Sequence, residues 1–120
     1  MTQKKQRVLI IDDEDDLNNI ITMRLEKEGF EIESALDGEE GIEKAKSFKP
    51  DCILLDVSMP VMTGWEVCEK LRADPETQNM KIYMFTATRD LKLAKKVGAD
   101  RVILKPFNYD EIISILESTE

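Results

Sequence analysis

The sequence predicts a single doubly wound α/β domain whose five parallel strands run in the order 2-1-3-4-5, with helices on both faces. Two observations carry this. Five short, dense apolar runs alternate strictly with five amphipathic stretches, the signature of a parallel sheet with helical crossovers. The central runs, such as VLII and CILL, show no period-2 alternation, which suits strands buried on both faces. Right-handed crossovers then leave 2-1-3-4-5 as the common five-stranded arrangement, with a ligand crevice outside the carboxyl ends of strands 1 and 3.

The first run is Val8–Ile11. Leu17, Ile21 and Leu25, with Ile20, then form the apolar stripe of a first helix. Phe30–Leu36 is the second run, and Asp37 with Glu40 reads as a capping box opening a helix that ends near Phe48. Cys52–Leu55 is the third, followed by a helix in which Trp65, Cys68 and Leu71 recur about once per turn. Ile82–Phe85 precedes a short helix from Leu91 to Val97. Val102–Leu104 is the last run, and Asn108 with Glu111 forms a second capping box before a helix carrying Ile112, Ile115 and Leu116. Gly29, Pro50 and Gly98 punctuate the helix-to-strand junctions.

At 120 residues, 42% hydrophobic and 35% charged, the chain is the size and composition of one globular domain. The expected division is a basic tail over residues 1–6 and the domain over 7–120, with no effector domain after it. No apolar run approaches the ~20 residues that span a bilayer, and MTQKKQR lacks the apolar core of a secretory signal, so the expected location is the cytoplasm. A net charge of −8 argues against direct nucleic-acid binding, which needs clustered Lys and Arg. Cys52 and Cys68 sit in apolar patterns and read as buried thiols. The chain contains no histidine, so Ser–His triads and a phosphohistidine role are excluded.

Chemistry-bearing residues fall at the strand ends. Asp12 and Asp13 follow the first strand, Asp56 the third, Thr86 and Ala87 the fourth, and Lys105 the fifth. Three carboxylates on one edge repel by on the order of 4 kcal/mol per pair at ~4 Å and an effective dielectric of ~20. One lysine cannot balance them, and an all-oxygen, acid-rich site suits a hard divalent cation such as Mg²⁺, with Mn²⁺ as the alternative.

Four motifs in order, IIDDED (Ile10–Asp15), LLDVSMPVMTG (Leu54–Gly64), FTA (Phe85–Ala87) and LKPF (Leu104–Phe107), together resemble the receiver domain of response regulators in two-component signalling, with its flavodoxin-like or CheY-like fold. The resemblance implies a phosphoryl-accepting switch rather than an enzyme, with at most slow self-dephosphorylation. It implies that Asp56 is the phosphoacceptor and that Asp13, Asp12, Asp56 and the backbone carbonyl of Ser58 hold the metal. Lys105, Thr86 and the backbone N–H of Ala87, with that of Ser58, would contact the phosphoryl oxygens. The implied partners are a sensor histidine kinase or histidine phosphotransfer protein and a downstream protein target, read out at the face of helix 4, strand 5 and helix 5. A cis Lys105–Pro106 bond is also implied.

The chain departs from the family pattern in having Val102 where an aromatic switch residue is usual, and in a segment from Thr86 to Lys105 about one helical turn short. Ser58 and Thr88 occupy positions that tune dephosphorylation in the family. Two alternatives stand beside this reading. A phosphorylation-independent binding module fits the Val102 position and the short fourth helix. A Mg²⁺-dependent hydrolase of the haloacid dehalogenase type would use Asp13 and Asp15, but it leaves Asp56 unexplained. Glu14, Asp15 and Asp16 otherwise read as a solvated helix start, and Lys92, Lys95 and Lys96 as a solvated helix face. Trp65 reads as packing, and Met59, Met62 and Met80 as gap-fillers of one cluster.

Overall fold

A computed structural model describes residues 6–87, 91–105 and 108–117 (for Leu91, the backbone). The elements alternate as β1 (Arg7–Ile11), α1 (Asp15–Lys27), β2 (Glu31–Ala35), α2 (Gly38–Phe48), β3 (Cys52–Asp56), α3 (Gly64–Ala73), β4 (Lys81–Thr86), α4 (Leu91–Val97), β5 (Arg101–Leu104) and α5 (Tyr109–Glu117). All neighbouring strands pair in parallel, in the order β2-β1-β3-β4-β5, as the sequence predicts.

The two faces of the sheet bury separate cores. Val8, Ile10, Cys52, Leu54, Tyr83 and Phe85 pack with Ile21 and Leu25 of α1 and with Ile112 and Leu116 of α5. The residues between them, Leu9, Ile11, Ile53, Leu55, Ile82 and Met84, pack with Ala45 of α2, Val67, Cys68 and Leu71 of α3 and Val97 of α4. Every residue of β3 is buried, because this strand has a neighbour on each side and a helical layer on each face. β2 is buried only in part, with Glu31 and Glu33 exposed and Ile32 and Ala35 buried. It is an edge strand whose two buried residues serve opposite cores, Ile32 the first and Ala35 the second.

Several local expectations are corrected. Ile20 is not part of the buried stripe of α1: it is 46% exposed. The buried positions are Asn18, Ile21 and Leu25, and a residue one position before Ile21 is turned by about 100° around the helix. Leu36 lies beyond β2 and is exposed. Asp37 does cap α2, accepting from the backbone N–H of Glu40 at 2.8 Å. The Glu40 carboxylate, however, accepts from Leu36 N–H at 2.8 Å, one residue before the partner a capping box requires. A reciprocal box that the sequence reading passed over, Thr63 with Glu66, opens α3. Met59, Met62 and Met80 all pack into the second core, as gap-fillers of one cluster, although Met80 precedes β4 and the other two follow β3.

Other readings stand. Lys92, Lys95 and Lys96 are exposed. Trp65 packs half-buried against the second core. Asn108 accepts from Glu111 N–H at 2.7 Å, the N-cap half of the expected box. Cys52 and Cys68 are free and buried; burial pushes the Cys52 thiol far up and the Cys68 thiol to about 11.

The edge opposite the carboxyl ends is clamped by Arg72 at the end of α3. Its guanidinium donates to the carbonyls of Gly98, Gln78 and Met80 at 2.7–2.8 Å and to Asp100 at 2.7 Å. Asp100 also accepts from Ile82 N–H at 2.8 Å. This network ties α3, β4 and the approach to β5 together and leaves the carboxyl edge open for chemistry.

Candidate phosphoacceptor and metal site

The parallel register brings distant residues to one edge. Ile11 pairs with Leu55, and Asp56 with Phe85, so Asp12 and Asp56 leave neighbouring strands side by side. Thr86 ends β4 one residue beyond the partner of Asp56, and Lys105 N–H donates to Thr86 O at 2.9 Å. One oxygen each from Asp12, Asp13 and Asp56 can gather within 4.8 Å of one another. Lys105 Nζ donates to Asp56 Oδ1 at 2.8 Å.

Thr86 is buried, and Ala87 and Ser58 are exposed at the same edge. Asp15, which the hydrolase alternative pairs with Asp13, is exposed in the first turn of α1 and outside the carboxylate group. The cis Lys105–Pro106 bond, Thr88, and residues 1–5 of the tail lie outside the described residues.

Burial sets the electrostatics. Asp12 is fully inaccessible and Asp56 is 3% exposed. Loss of water raises the Asp12 carboxyl to about 6, against the pull of the Glu14 N–H and with a further push from the charge of Asp56. Burial also raises Asp56, opposed by the hydrogen bond and charge of Lys105. For Lys105, burial works against the ammonium, but the hydrogen bond and charge of Asp56, with Asp12 and Glu14, outweigh it and raise its pKa.

Asp12 Oδ1 accepts from Glu14 N–H at 2.9 Å. Its Oδ2 is buried with no hydrogen-bond partner among the described residues. A buried carboxylate oxygen without a donor is costly. A hard divalent cation supplies the charge such an oxygen lacks, so the residues present fit Mg²⁺.

Three contributors were missed from sequence. Glu14 reads as solvated, yet its N–H holds Asp12 and its charge bears on Asp12, Asp56 and Lys105. Gly64 touches the acceptor strand: a Cβ there would fall 2.3 Å from the Asp56 carbonyl oxygen and 2.7 Å from Val57 Cα. Its N–H donates to Val57 O at 2.9 Å, so the start of α3 is seated on the backbone of the acceptor. The glycine in LLDVSMPVMTG was the available signal. Asn18, buried beneath the acidic pair, had none.

The profile of the response regulator receiver domain matches residues 8–117. The chain belongs to this family. It is 35% identical over 114 residues to the DNA-binding response regulator MtrA of Mycobacterium tuberculosis, a match covering 95% of this chain and 50% of MtrA. It is 37% identical over 110 residues to the alkaline phosphatase synthesis transcriptional regulatory protein PhoP of Bacillus subtilis, covering 89% of this chain and 45% of PhoP. The chain thus spans about half the length of these curated relatives. Among solved structures, the chemotaxis protein CheY4 of Vibrio cholerae superposes with a TM-score of 0.91 at 32% identity, over 98% of this chain and 100% of CheY4. A CheY-like receiver domain protein from Methanospirillum hungatei gives 0.88 at 30% identity, over 96% of this chain and 93% of that one. This receiver domain is therefore a signalling module of the two-component type. No helix among its described residues is long and apolar enough to cross a membrane.

Proposed function

We propose that this receiver domain takes a phosphoryl group onto the Asp56 carboxylate from a phosphohistidine of a sensor histidine kinase or histidine phosphotransfer protein. The observation that supports this most is the meeting of three carboxylates with the Lys105–Asp56 contact at 2.8 Å. An Asp56 oxygen attacks phosphorus in line as the phosphorus–nitrogen bond breaks, and the electron pair stays with the donor imidazole.

Asp12, Asp13 and Asp56, with the carbonyl of Ser58, would hold Mg²⁺, or Mn²⁺ in its place. When bound, the cation offsets charge on the transferring phosphoryl oxygens. Lys105 moves from a carboxylate partner to a phosphoryl partner, and Thr86 with the N–H groups of Ala87 and Ser58 supplies further donors. The product adds negative charge and acceptor oxygens at the edge. That favours the arrangement in which Thr86 and Lys105 both reach the phosphoryl group, and it biases the α4–β5–α5 face toward a downstream protein. Hydrolysis of the aspartyl phosphate is at most slow. Two buried free thiols fit the reducing cytoplasm, and the charge of −8 fits a protein partner better than nucleic acid.

The test supplies a small phosphodonor with Mg²⁺ and compares the parent with Asp56→Asn on a phosphate-affinity gel. A shift of the parent alone is expected; a shift of both, or of neither, overturns the proposal. A second reading, a binding module that works without phosphorylation, is favoured by Val102, half-buried on β5, and by the seven-residue α4. An unchanged Trp65 fluorescence on adding beryllofluoride with Mg²⁺ would favour it.

A further inference from the structure

Asn18 is 1% exposed on a face of α1 otherwise occupied by Leu17, Ile21 and Leu25. Its Nδ2 donates to the backbone carbonyl of Asp12 at 2.7 Å and to that of Ala35 at 3.4 Å. Both partners are carbonyl oxygens, so the NH₂ end of the amide must face them. Asp12 N–H donates to the same Ala35 O at 3.1 Å. The β1–β2 register ends at Ile11 and Ala35, so the Asp12 carbonyl has left the ladder, and Asn18 gives it a donor. One amide thus joins the ends of β1 and β2 to the start of α1.

The same amide is a poor core residue. Its Oδ1 is buried with no partner among the described residues, a cost that a leucine at this position would not carry. Packing therefore does not account for Asn18. What it does secure is the peptide linking Asp12 to Asp13, and with it the directions of the two carboxylates.

We propose that Asn18 is a positioning residue for the divalent cation. It sets the Asp12–Asp13 turn through the Asp12 carbonyl, so metal affinity depends on an amide that does not touch the ion. This rests on the reading of Asp12, Asp13 and Asp56 as the cation site. Removing an outer partner of this kind typically costs ~10–100-fold in metal affinity.

The experiment measures Mn²⁺ binding by the loss of free-ion electron paramagnetic resonance signal, with Mg²⁺ as competitor, on the parent, Asn18→Leu and Asn18→Ala. Thermal unfolding of each in EDTA runs in parallel. Asn18→Leu is expected to melt close to the parent, because losing the donor to the Asp12 carbonyl offsets removing the unpaired Oδ1, while its Kd rises about tenfold. Asn18→Ala should lose affinity similarly while melting lower, which keeps the test open if leucine does not fit. A role in folding alone predicts melting temperatures that move while Kd stays put. A Kd within about twofold of the parent in the folded variants overturns the role of Asn18 and leaves the cation site standing. A parent that shows no saturable Mn²⁺ binding overturns both.

Discussion

Asp12 is an acid that the fold holds under strain, and replacing it by its neutral isostere exposes the size of that strain. Its carboxyl titrates near 6 in the folded chain against 3.8 ordinarily, chiefly because burial removes water from it. The folded state therefore binds this proton more tightly than the unfolded state does. Below pH 3.8 both states are protonated and the stabilising effect of the proton is fully present. As pH rises from 3.8 through 6 that effect is lost, and above 6 the loss is complete. A rise of roughly two pH units corresponds to about 3 kcal/mol.

Asp12→Asn lacks this penalty and retains an oxygen to accept from Glu14 N–H. In EDTA, equilibrium urea unfolding should find the variant more stable than the parent by about 2–3 kcal/mol at pH 7.5, with the advantage shrinking toward zero near pH 4. Mg²⁺ should close the gap: at a hundredfold excess over Kd a bound ion stabilises the parent by about 2.7 kcal/mol, and the variant gains little. If Asp12→Asn is no more stable at pH 7.5, or keeps its full advantage at pH 4, the account of Asp12 as a buried charge awaiting a cation is wrong.

Gly64→Ala forces a methyl against the Asp56 carbonyl oxygen and Val57 Cα. It should cost about 2–3 kcal/mol, seen as a Tm lowered by roughly 10 °C, and it should weaken Mn²⁺ binding; an unchanged Tm would mean that α3 can lift off the acceptor strand freely. Val61 adopts φ 68° while fully exposed in the loop after Asp56. A β-branched residue there costs about 1–2 kcal/mol and gains no burial in return. Val61→Asn should therefore raise stability by about 1 kcal/mol, because asparagine tolerates that conformation; a urea midpoint that does not move would refute the strain.

Much of the site was legible because its members sit at strand ends. A run such as VLII or CILL announces a strand buried on both faces, and the residue that follows it must emerge at the carboxyl edge. That places Asp12, Asp56, Thr86 and Lys105 on one edge from pattern alone. Legibility failed where a single helical step decides burial. Ile20 and Ile21 are both apolar, and only the docking of α1 on β1 and β2 turns Ile21 inward and leaves Ile20 in water. It failed also where a backbone group does the work, as with the Glu14 N–H on Asp12, since sequence patterns describe side chains.

The sequence by itself determined the sheet order, the edge that carries the chemistry and the excess of negative charge there, because periodicity and crossover handedness depend on local pattern. Only the tertiary structure decided how that charge is settled. Burial raises Asp12 to about 6, Lys105 reaches Asp56 across 49 residues of chain, and Asn18 seats itself under the Asp12 carbonyl. Desolvation and hydrogen bonding depend on what surrounds a group in space, and neighbours brought together from four strands and a helix leave no trace in the spacing of any one segment.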